Sequence, residues 1–283
     1  MWALRSTEGS NPSLSADVGR QGVYNPPVAD RLSKAKMEQL GKRLVTGDQP
    51  DADDLALLHQ ILLARSEQLE VAIARVRTEL KLAPTSRVKN TGTILEKLRR
   101  QGGWTLASMQ DIAGMRIVGP FDRRGQDEIV AQLAGLFGDG TSAPKVIDRR
   151  EAPMHGYRAV HVVVFPAGSP IEIQVRTARQ HEWAELFEKL ADLVGRGIRY
   201  GEPPQSGLVE EELGGASAAI REVIRLRLEL RRATVAQALA LAEWLSAVEE
   251  GESTAPEDPE LDAMRRSIDA EIAAFRESLA DEL

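Results

Sequence analysis

Five side chains with distinct chemistry lie close together in the middle of the chain. They supply an aromatic ring, an imidazole, a carboxylate, an amide and a guanidinium, in the order Tyr157, His161, Glu172, Gln174 and Arg176. Taken singly, each residue type is common as ordinary structure in a sheet. On one surface they would combine stacking, proton exchange and anion binding, so we expect a functional site where the fold brings them together.

Two strands are predicted to carry these side chains. Residues of high β propensity run from Tyr157 to Phe165, and a turn rich in Pro and Gly leads to a second strand from Ile171 to Thr177. Successive side chains of a strand point to opposite faces. The ring and the imidazole therefore share one face of the first strand, and the carboxylate, the amide and the guanidinium share one face of the second. If the two strands pair, all five can lie on one surface.

The order of these residues resembles a known family. G-Y-x-(S/A)-x-H followed by E-x-Q-x-R-T is similar to the nucleotide pyrophosphokinase domain of the RelA/SpoT superfamily, the alarmone synthetases. The resemblance extends over roughly Arg87 to Lys189, where RVK at 87–89, TILEK at 93–97 and DIAGMR at 111–116 match the family's R-x-K, S-I-x-x-K and D-x-x-G-x-R. It implies a short, synthesis-only enzyme.

The resemblance implies roles on the ATP side of such a site. Asp111 and Glu172 would be the catalytic acids and the ligands of Mg²⁺, an ion that takes few protein carboxylates and shares phosphate oxygens. Guanidinium forks and ammonium charges both compensate phosphate. The phosphates of ATP would be bound by Arg87, Lys89, Thr93, Lys97 and Arg116.

The acceptor side follows from the same resemblance. Tyr157 would stack on the acceptor base, and His161 would contact the acceptor's phosphate or sugar. Gln174 and Arg176 would line the same surface. The implied reaction is attack of a ribose 3′-hydroxyl of GDP or GTP on the β-phosphorus of ATP, which releases AMP and produces the alarmone (p)ppGpp. The single upstream His59 and the absence of a His-Asp dipeptide indicate that no hydrolase domain accompanies this segment.

Departures from the family pattern concern the acceptor side. Ala152 and Pro153 stand where many members have Pro-Lys, Ala159 stands where Ser is common, and Phe187 and Glu188 replace a Glu-His pair. The identity of the acceptor therefore stays open.

Two alternatives are kept. The first is a toxin, with an antitoxin partner, that pyrophosphorylates the 3′ end of tRNA; arginine pairs at 99–100, 123–124, 149–150 and 231–232 could supply the basic track that RNA needs. The second is a noncatalytic nucleotide-binding or assembly protein that works through its C-terminal helices.

The alternation of strands and helices predicts an α/β (α+β) fold, with a mixed sheet of about five strands flanked by helices and with helical extensions at both ends. By the resemblance this is a nucleotidyltransferase-like synthetase domain, at residues 27–200. Residues 1–26 are expected to be disordered. Residues 201–283 are expected to form helices over 213–248 and 261–283, with a linker at 251–259, that cover the catalytic domain or form a homo-oligomer.

Composition bounds the protein class. The 283 residues include 42% hydrophobic residues, enough for a sizeable core, and no cysteine, which excludes disulfides and fits a reducing cytosol. No apolar run is long enough to cross a bilayer. The formal charge of −7 argues against nonspecific nucleic-acid binding. We expect a cytoplasmic protein with no membrane or DNA partner.

Overall fold

The computed structural model describes residues 32–47, 49–100, 105–140, 142–166, 168–205, 217–254 and 258–280. The strands are β1 Thr85–Val88, β2 Ala113–Gly119, β3 Lys145–Asp148, β4 Val160–Val164 and β5 Ile171–Thr177. The helices are α1 Lys34–Arg43, α2 Ala52–Arg75 with a π-helical turn at Val76–Leu80, α3 Thr91–Arg99, α4 Arg123–Leu136, α5 Ala178–Val194, α6 Ala218–Thr254 and α7 Pro259–Ala280.

The strands form one mixed sheet in the order β1-β2-β5-β4-β3. Strands β2 and β5 are parallel, and every other neighbouring pair is antiparallel. The predicted mixed five-stranded sheet flanked by helices is confirmed. The central pair, β2 and β5, carries the two segments that the sequence singled out.

One face of the sheet is apolar because Val and Ile alternate with polar residues along β5. Ile171, Ile173 and Val175 are fully buried on this face, where α2 and α4 cover the sheet with residues such as Ile73 and Leu133. Burial of each large apolar side chain contributes about 1.5–3 kcal/mol. The opposite face is left to the polar members of the alternation.

The C-terminal helices pack against α5. Trp183 and Leu190 of α5 share a buried core with Leu245 of α6 and Phe275 of α7, and the Trp183 indole Nε1 donates to the carbonyl oxygen of Ala238 at 2.7 Å. The hairpin of α6 and α7 thus covers the helix that follows β5. Formation of a homo-oligomer through these helices stays a prediction.

The structure differs from the sequence predictions at two boundaries. Strand β4 begins at Val160 instead of Tyr157, because positive φ angles at His155 (49°) and Gly156 (80°) turn the chain and an isolated bridge joins Met154 to Tyr157. Helix α6 continues past Gly251 to Thr254, so the expected linker is shorter. A β carbon at Gly251 would lie 2.8 Å from a Leu261 methyl carbon, so this glycine permits close helix packing.

Residues 1–26, which the sequence predicts to be disordered, lie outside the described residues. In the part of the chain that the structure describes, no helix has the length and apolar character needed to span a membrane.

Candidate active site

Several of the predicted site residues lie next to one another on the polar face of the sheet. Arg116 on β2 lies opposite Gln174 on β5, and Gln174 lies opposite His161 on β4. Glu172 is two residues before Gln174 and shares its face. A cation, an amide, an imidazole and a carboxylate therefore stand side by side across three strands.

A second row of the register contains a residue without a side chain. Arg87 on β1 lies opposite Gly114 on β2, and Gly114 lies opposite Glu172. A β carbon at Gly114 would meet the carbonyl oxygen of Glu172 at 2.7 Å. The glycine thus lets the two strands approach closely and leaves open space between a guanidinium and a carboxylate.

Asp111 precedes β2 and is held by two lysines. The Lys89 ammonium lies 2.8 Å from one carboxylate oxygen, and the Lys97 ammonium donates to both oxygens at 3.1 Å. Burial alone would raise the pKa of Asp111, but the two ammonium groups outweigh it and lower that pKa. Asp111 is therefore a carboxylate at neutral pH.

Glu172 ends a chain of hydrogen bonds that begins at a buried guanidinium. Arg176 donates to the Tyr157 hydroxyl at 3.0 Å, this hydroxyl lies 2.9 Å from Nε2 of His161, and Nδ1 of His161 lies 3.0 Å from Glu172. A carboxylate can only accept, so Nδ1 of His161 is the donor in its contact with Glu172. Gln174 donates to the other oxygen of Glu172 at 2.9 Å.

The same contacts set the protonation of Glu172 and Tyr157. Burial would raise the pKa of Glu172, but the hydrogen bond and charge of His161 and the hydrogen bond of Gln174 lower it overall. Burial raises the pKa of Tyr157, and the charge of Arg176 opposes it only in part. The phenol is therefore neutral and the carboxylate is charged.

Two adjoining cavities open on this face. A small one of about 40 Å³ is lined by both carboxylates, Asp111 and Glu172, together with Lys89. A larger one of about 330 Å³ lies beside Tyr157. Arg87 and Arg116 line both cavities, so the two spaces meet at a pair of guanidinium groups. A phosphate chain could extend from one cavity to the other.

The larger cavity combines aromatic walls with charge. Trp183 and Phe187, one turn apart on α5, stack at 4.9 Å between ring centroids, and both line the cavity with Tyr157. The charged lining residues are Arg87, Arg116, Arg176, Arg199, Glu185 and Glu188. Rings and guanidinium groups together suit a ligand with a flat base and an anionic group.

Not every predicted residue faces a cavity. Thr93 lies in the first turn of α3, where its backbone N–H and hydroxyl both donate to the Asn90 side chain, at 2.8 and 2.9 Å. It lines neither cavity. His161 lines neither cavity as well, but it joins Tyr157 to Glu172 by hydrogen bonds. The remaining predicted residues lie at the two cavities or bind a residue that does.

The sequence predictions missed three charged residues of the larger cavity. Glu185 and Glu188 lie on α5, and Arg199 lies on a 3₁₀ helix at Arg196–Tyr200. Glu188 had been noted only as a departure from the family pattern. Arg199 lies beyond the matched segment, and no periodic signal in the sequence marks it.

The arginine pairs expected to form an RNA track are partly used for structure. Arg123 donates to the Ser246 hydroxyl at 2.6 Å, and Arg150 donates to Asp148 at 3.0 Å. Neither lines the two cavities. At least two of the four pairs thus have a member bound to another protein group, and the tRNA alternative stays a prediction.

A third cavity, of about 570 Å³, lies between the first turn of α5 and the C-terminal hairpin. Its two arginines are already ion-paired: Arg179 with Glu252 and Asp269, and Arg265 with Glu252. We therefore place the chemistry at the two cavities on the sheet.

Comparisons with known proteins show which proteins this chain is similar to. A family model described as a region found in RelA / SpoT proteins matches residues 86–191. An uncharacterized protein of Mycobacterium tuberculosis is 36% identical over 219 residues, which make up 75% of this chain and 76% of that relative. The GTP pyrophosphokinase of Escherichia coli is 30% identical over 145 residues, 46% of this chain but only 18% of the relative.

Among solved structures, the small alarmone synthetase 1 from Bacillus subtilis aligns with a TM-score of 0.36 and 22% identity, over 70% of this chain and 98% of that one.

Proposed function

Because the chain belongs to the RelA/SpoT superfamily, we propose that it is an ATP-dependent pyrophosphokinase that makes the alarmone (p)ppGpp. It would transfer the β,γ-pyrophosphate of ATP to the 3′-hydroxyl of GDP or GTP and release AMP. The observation that carries the proposal is the arrangement of Asp111 and Glu172 at one small cavity, next to a larger cavity beside Tyr157. Arg87 and Arg116 belong to both.

The charged lining of the small cavity suits phosphate groups of ATP. Arg87, Lys89 and Arg116 line it, and Lys97 binds the same Asp111 carboxylate as Lys89. In phosphoryl transfer the protein mainly aligns the groups and neutralises the charge that spreads over the phosphate oxygens. These cations meet both needs. Phosphate oxygens would take over some of the hydrogen bonds that Asp111 now accepts from the lysines.

Mg²⁺ fits the donor set of this cavity. Asp111 and Glu172 are both ionised, and hard carboxylate oxygens are ligands that Mg²⁺ prefers. Among the described residues no group of three or more His, Cys, Asp or Glu could hold a metal ion. The two carboxylates would therefore share the ion with phosphate oxygens. When bound, Mg²⁺ would supply charge compensation at the transferred group.

The acceptor would bind in the larger cavity with its base on Tyr157. Its 3′-oxygen forms a bond to the β-phosphorus, and the bond from that phosphorus to the oxygen that bridges it to the α-phosphate breaks, so that AMP leaves. Glu172 is charged and is held by His161 and Gln174. It is suited to accept the proton of the 3′-hydroxyl or to serve as a metal ligand.

A competition assay tests the proposal and its alternatives. The full chain would be incubated with Mg²⁺ and ATP labelled on the γ-phosphate, with GDP, GTP, ATP and bulk tRNA as competing acceptors. We expect label in a guanine nucleotide and an equal amount of AMP. Label in tRNA instead, lost when the 3′-terminal adenosine is removed, would favour the toxin alternative.

Two variants make the assay decisive. Asp111→Asn should abolish transfer, whereas Asp139→Asn, at an exposed acid that lines neither cavity, should leave it unchanged. No AMP and no labelled acceptor under any condition would contradict the proposal and would favour a noncatalytic nucleotide-binding protein.

A further inference from the structure

The larger cavity carries more positive than negative charge. Four arginines and two glutamates line it, so the net formal charge is positive. The guanidinium groups also repel one another: burial lowers the pKa of Arg116, and the charges of Arg176 and Arg87 lower it further. An anionic ligand would reduce the repulsion among these guanidinium groups.

Arg176 lines the cavity and has one side-chain donor without a hydrogen-bond partner. The side chain is 5% exposed, and its Nη2 donates to the Tyr157 hydroxyl and to Gln174. Its buried Nε has no hydrogen-bond partner. Among the described residues no carboxylate forms an ion pair with it. A buried guanidinium without a carboxylate is costly unless a further group binds it, and a phosphate can supply that group.

Two arginines of the cavity, Arg116 and Arg199, each form an ion pair with a glutamate of α5. Arg116 donates to Glu185 at 2.9 Å, and Arg199 donates to Glu188 at 2.6 Å. The two glutamates lie one turn apart on α5 and are each about half exposed, whereas the arginines are mostly buried. An incoming phosphate can therefore take the place of either carboxylate, which would turn into solvent.

Arg199 is held in place by its own backbone. It lies on the 3₁₀ helix Arg196–Tyr200, whose Ile198 is 2% exposed in the core formed by α5, α6 and α7. The chain on either side is tied back by hydrogen bonds from Glu202 N to Gly197 O and from Gln205 N to Val194 O. A guanidinium on a fixed element loses little freedom when it binds an anion.

We propose that Arg199 binds the terminal phosphate of the acceptor, that Glu188 competes with this phosphate for Arg199, and that the acceptor is therefore a nucleoside 5′-diphosphate or 5′-triphosphate. The proposal rests on the function proposed above. Many family members have a lysine where this chain has Pro153, next to Ala152. Arg199, which lies outside the segment that matches the family, would supply the positive charge that this lysine provides in those members.

Charge distribution separates this ligand from an RNA end. A nucleoside di- or triphosphate concentrates its charge on adjacent phosphates, while an RNA 3′ end presents single phosphodiester charges along a chain. The cavity volume of about 330 Å³ lies in the range of small-molecule sites. Arg199 already has the Glu188 carboxylate at 2.6 Å, so we expect a monophosphate held at Arg176 to leave that pair in place.

Direct binding tests the assignment without relying on turnover. Fluorescent N-methylanthraniloyl derivatives of GDP, ADP and GMP would be titrated into the wild-type chain and into Arg199→Gln, Glu188→Gln and Arg196→Gln. Arg196 lies on the same 3₁₀ helix but is 55% exposed and pairs with Asp192 and Glu96 outside the cavity. It is the matched control for loss of a positive charge on this helix.

The expected pattern is specific to the acceptor's second phosphate. Arg199→Gln should weaken diphosphate binding about 10-fold or more, the scale of a lost charge-assisted hydrogen bond, and should change monophosphate binding less than about 3-fold. Glu188→Gln should tighten diphosphate binding, and Arg196→Gln should match the wild type. In turnover, Arg199→Gln should raise the acceptor KM and leave the KM for ATP unchanged.

Several results would overturn the assignment. The first is equal diphosphate binding by the Arg199 and Arg196 variants. The second is equal weakening of monophosphate and diphosphate binding by Arg199→Gln. The third is a wild-type chain that binds no nucleotide and pyrophosphorylates tRNA. The proposed function fails separately: nucleotide binding with the expected pattern but without transfer would retain the Arg199 site and reject the pyrophosphokinase.

Discussion

Gly114 on β2 lies directly opposite Glu172 on β5, and a β carbon at position 114 would come within 2.7 Å of the Glu172 carbonyl oxygen. The clash would be with a backbone atom, so the rotation of a flexible side chain could not remove it. The two strands must move apart if position 114 gains a side chain. Glu172 and Asp111 line the cavity at this point, so strand spacing and carboxylate spacing are linked.

Gly114→Ala should therefore reduce transfer far more than it reduces stability. A displacement of about 1 Å at reacting groups can cost about 100-fold in rate, whereas overpacking costs about 1–3 kcal/mol in the free energy of unfolding. The kcat and a urea denaturation curve measure both. Gly135→Ala is the control, because nothing lies within 4 Å of its β carbon in α4. If Gly114→Ala transfers at the wild-type rate, the spacing of β2 and β5 does not determine the rate of catalysis.

Asp111 should make stability depend on pH only in acid. Its pKa is lowered in the folded state from an ordinary value of 3.8, despite burial, by Lys89 and Lys97. A lowered pKa stabilises the fold above the unfolded-state pKa, and that contribution disappears as the pH falls through the folded-state pKa. The difference in unfolding free energy between the wild type and Asp111→Asn should thus be constant from about pH 5 to 8.

Below about pH 4 the same difference should shrink. Chemical denaturation at intervals from pH 3 to 8 measures it, with Asp139→Asn as an exposed control. A difference that changes steadily between pH 6 and 8 would mean that Asp111 does not titrate as a lysine-bound carboxylate.

The sheet and its polar face were predictable because both follow from local periodicity. The alternation of Ile171, Ile173 and Val175 with polar residues sets the face of β5, and β5 begins and ends where the sequence predicts. Arg199 was not predictable in this way. It reaches the cavity through packing of the chain after α5, and such long-range contacts have no repeat in the sequence.

The turn before β4 shows the same limit. Tyr157 was assigned to a strand because of its neighbours' β propensity, but a turn with positive φ angles at His155 and Gly156 separates it from a continuous strand and leaves it in an isolated bridge with Met154. It still bonds to His161, so the predicted pairing of ring and imidazole is found with a different backbone. Side-chain proximity was predictable here, whereas the element was not.

Tyr157 should separate base stacking from support of Glu172. Tyr157→Ala removes the ring and should raise the acceptor KM about 2- to 10-fold, the range expected for loss of an aromatic stack. Tyr157→Phe keeps the ring but removes the hydroxyl that links Arg176 to His161. It should lower kcat and change the acceptor KM little.

Steady-state kinetics with varied acceptor at saturating ATP measures both constants for the Tyr157 variants. Tyr200→Phe is the control, since Tyr200 is half exposed and lines neither cavity. A Phe variant that raises KM as much as the Ala variant would place the hydroxyl, and not the ring, in contact with the acceptor.

Glu249 of α6 joins the C-terminal hairpin to the end of the catalytic strand. It is 1% exposed, accepts hydrogen bonds from the Thr177 hydroxyl and from Gln180 Nε2 at 2.8 Å, and lies 3.7 Å from Arg123 Nε. Burial raises its pKa above the ordinary 4.5, and the contacts with Thr177, Gln180 and Arg123 offset this only in part. The folded state therefore binds this proton more tightly than the unfolded state.

Glu249→Gln should become relatively more stable as the pH rises. A raised pKa stabilises the fold fully below the unfolded-state pKa, near 4.5, and this contribution is lost as the pH rises through the folded-state pKa. The amide of the variant does not titrate, so it loses no stability in this pH range. The unfolding free energy of Glu249→Gln minus that of the wild type should therefore increase as the pH rises above about 4.5. Any effect of the altered hydrogen bonds would add a constant to this difference.

Glu249→Leu, which leaves Thr177 and Gln180 without an acceptor, should be about 1–3 kcal/mol less stable than Glu249→Gln throughout. Urea denaturation from pH 4 to 8, with the exposed Glu250→Gln as control, measures these differences, and a difference that falls as the pH rises would show that the fold stabilises the charged form of Glu249.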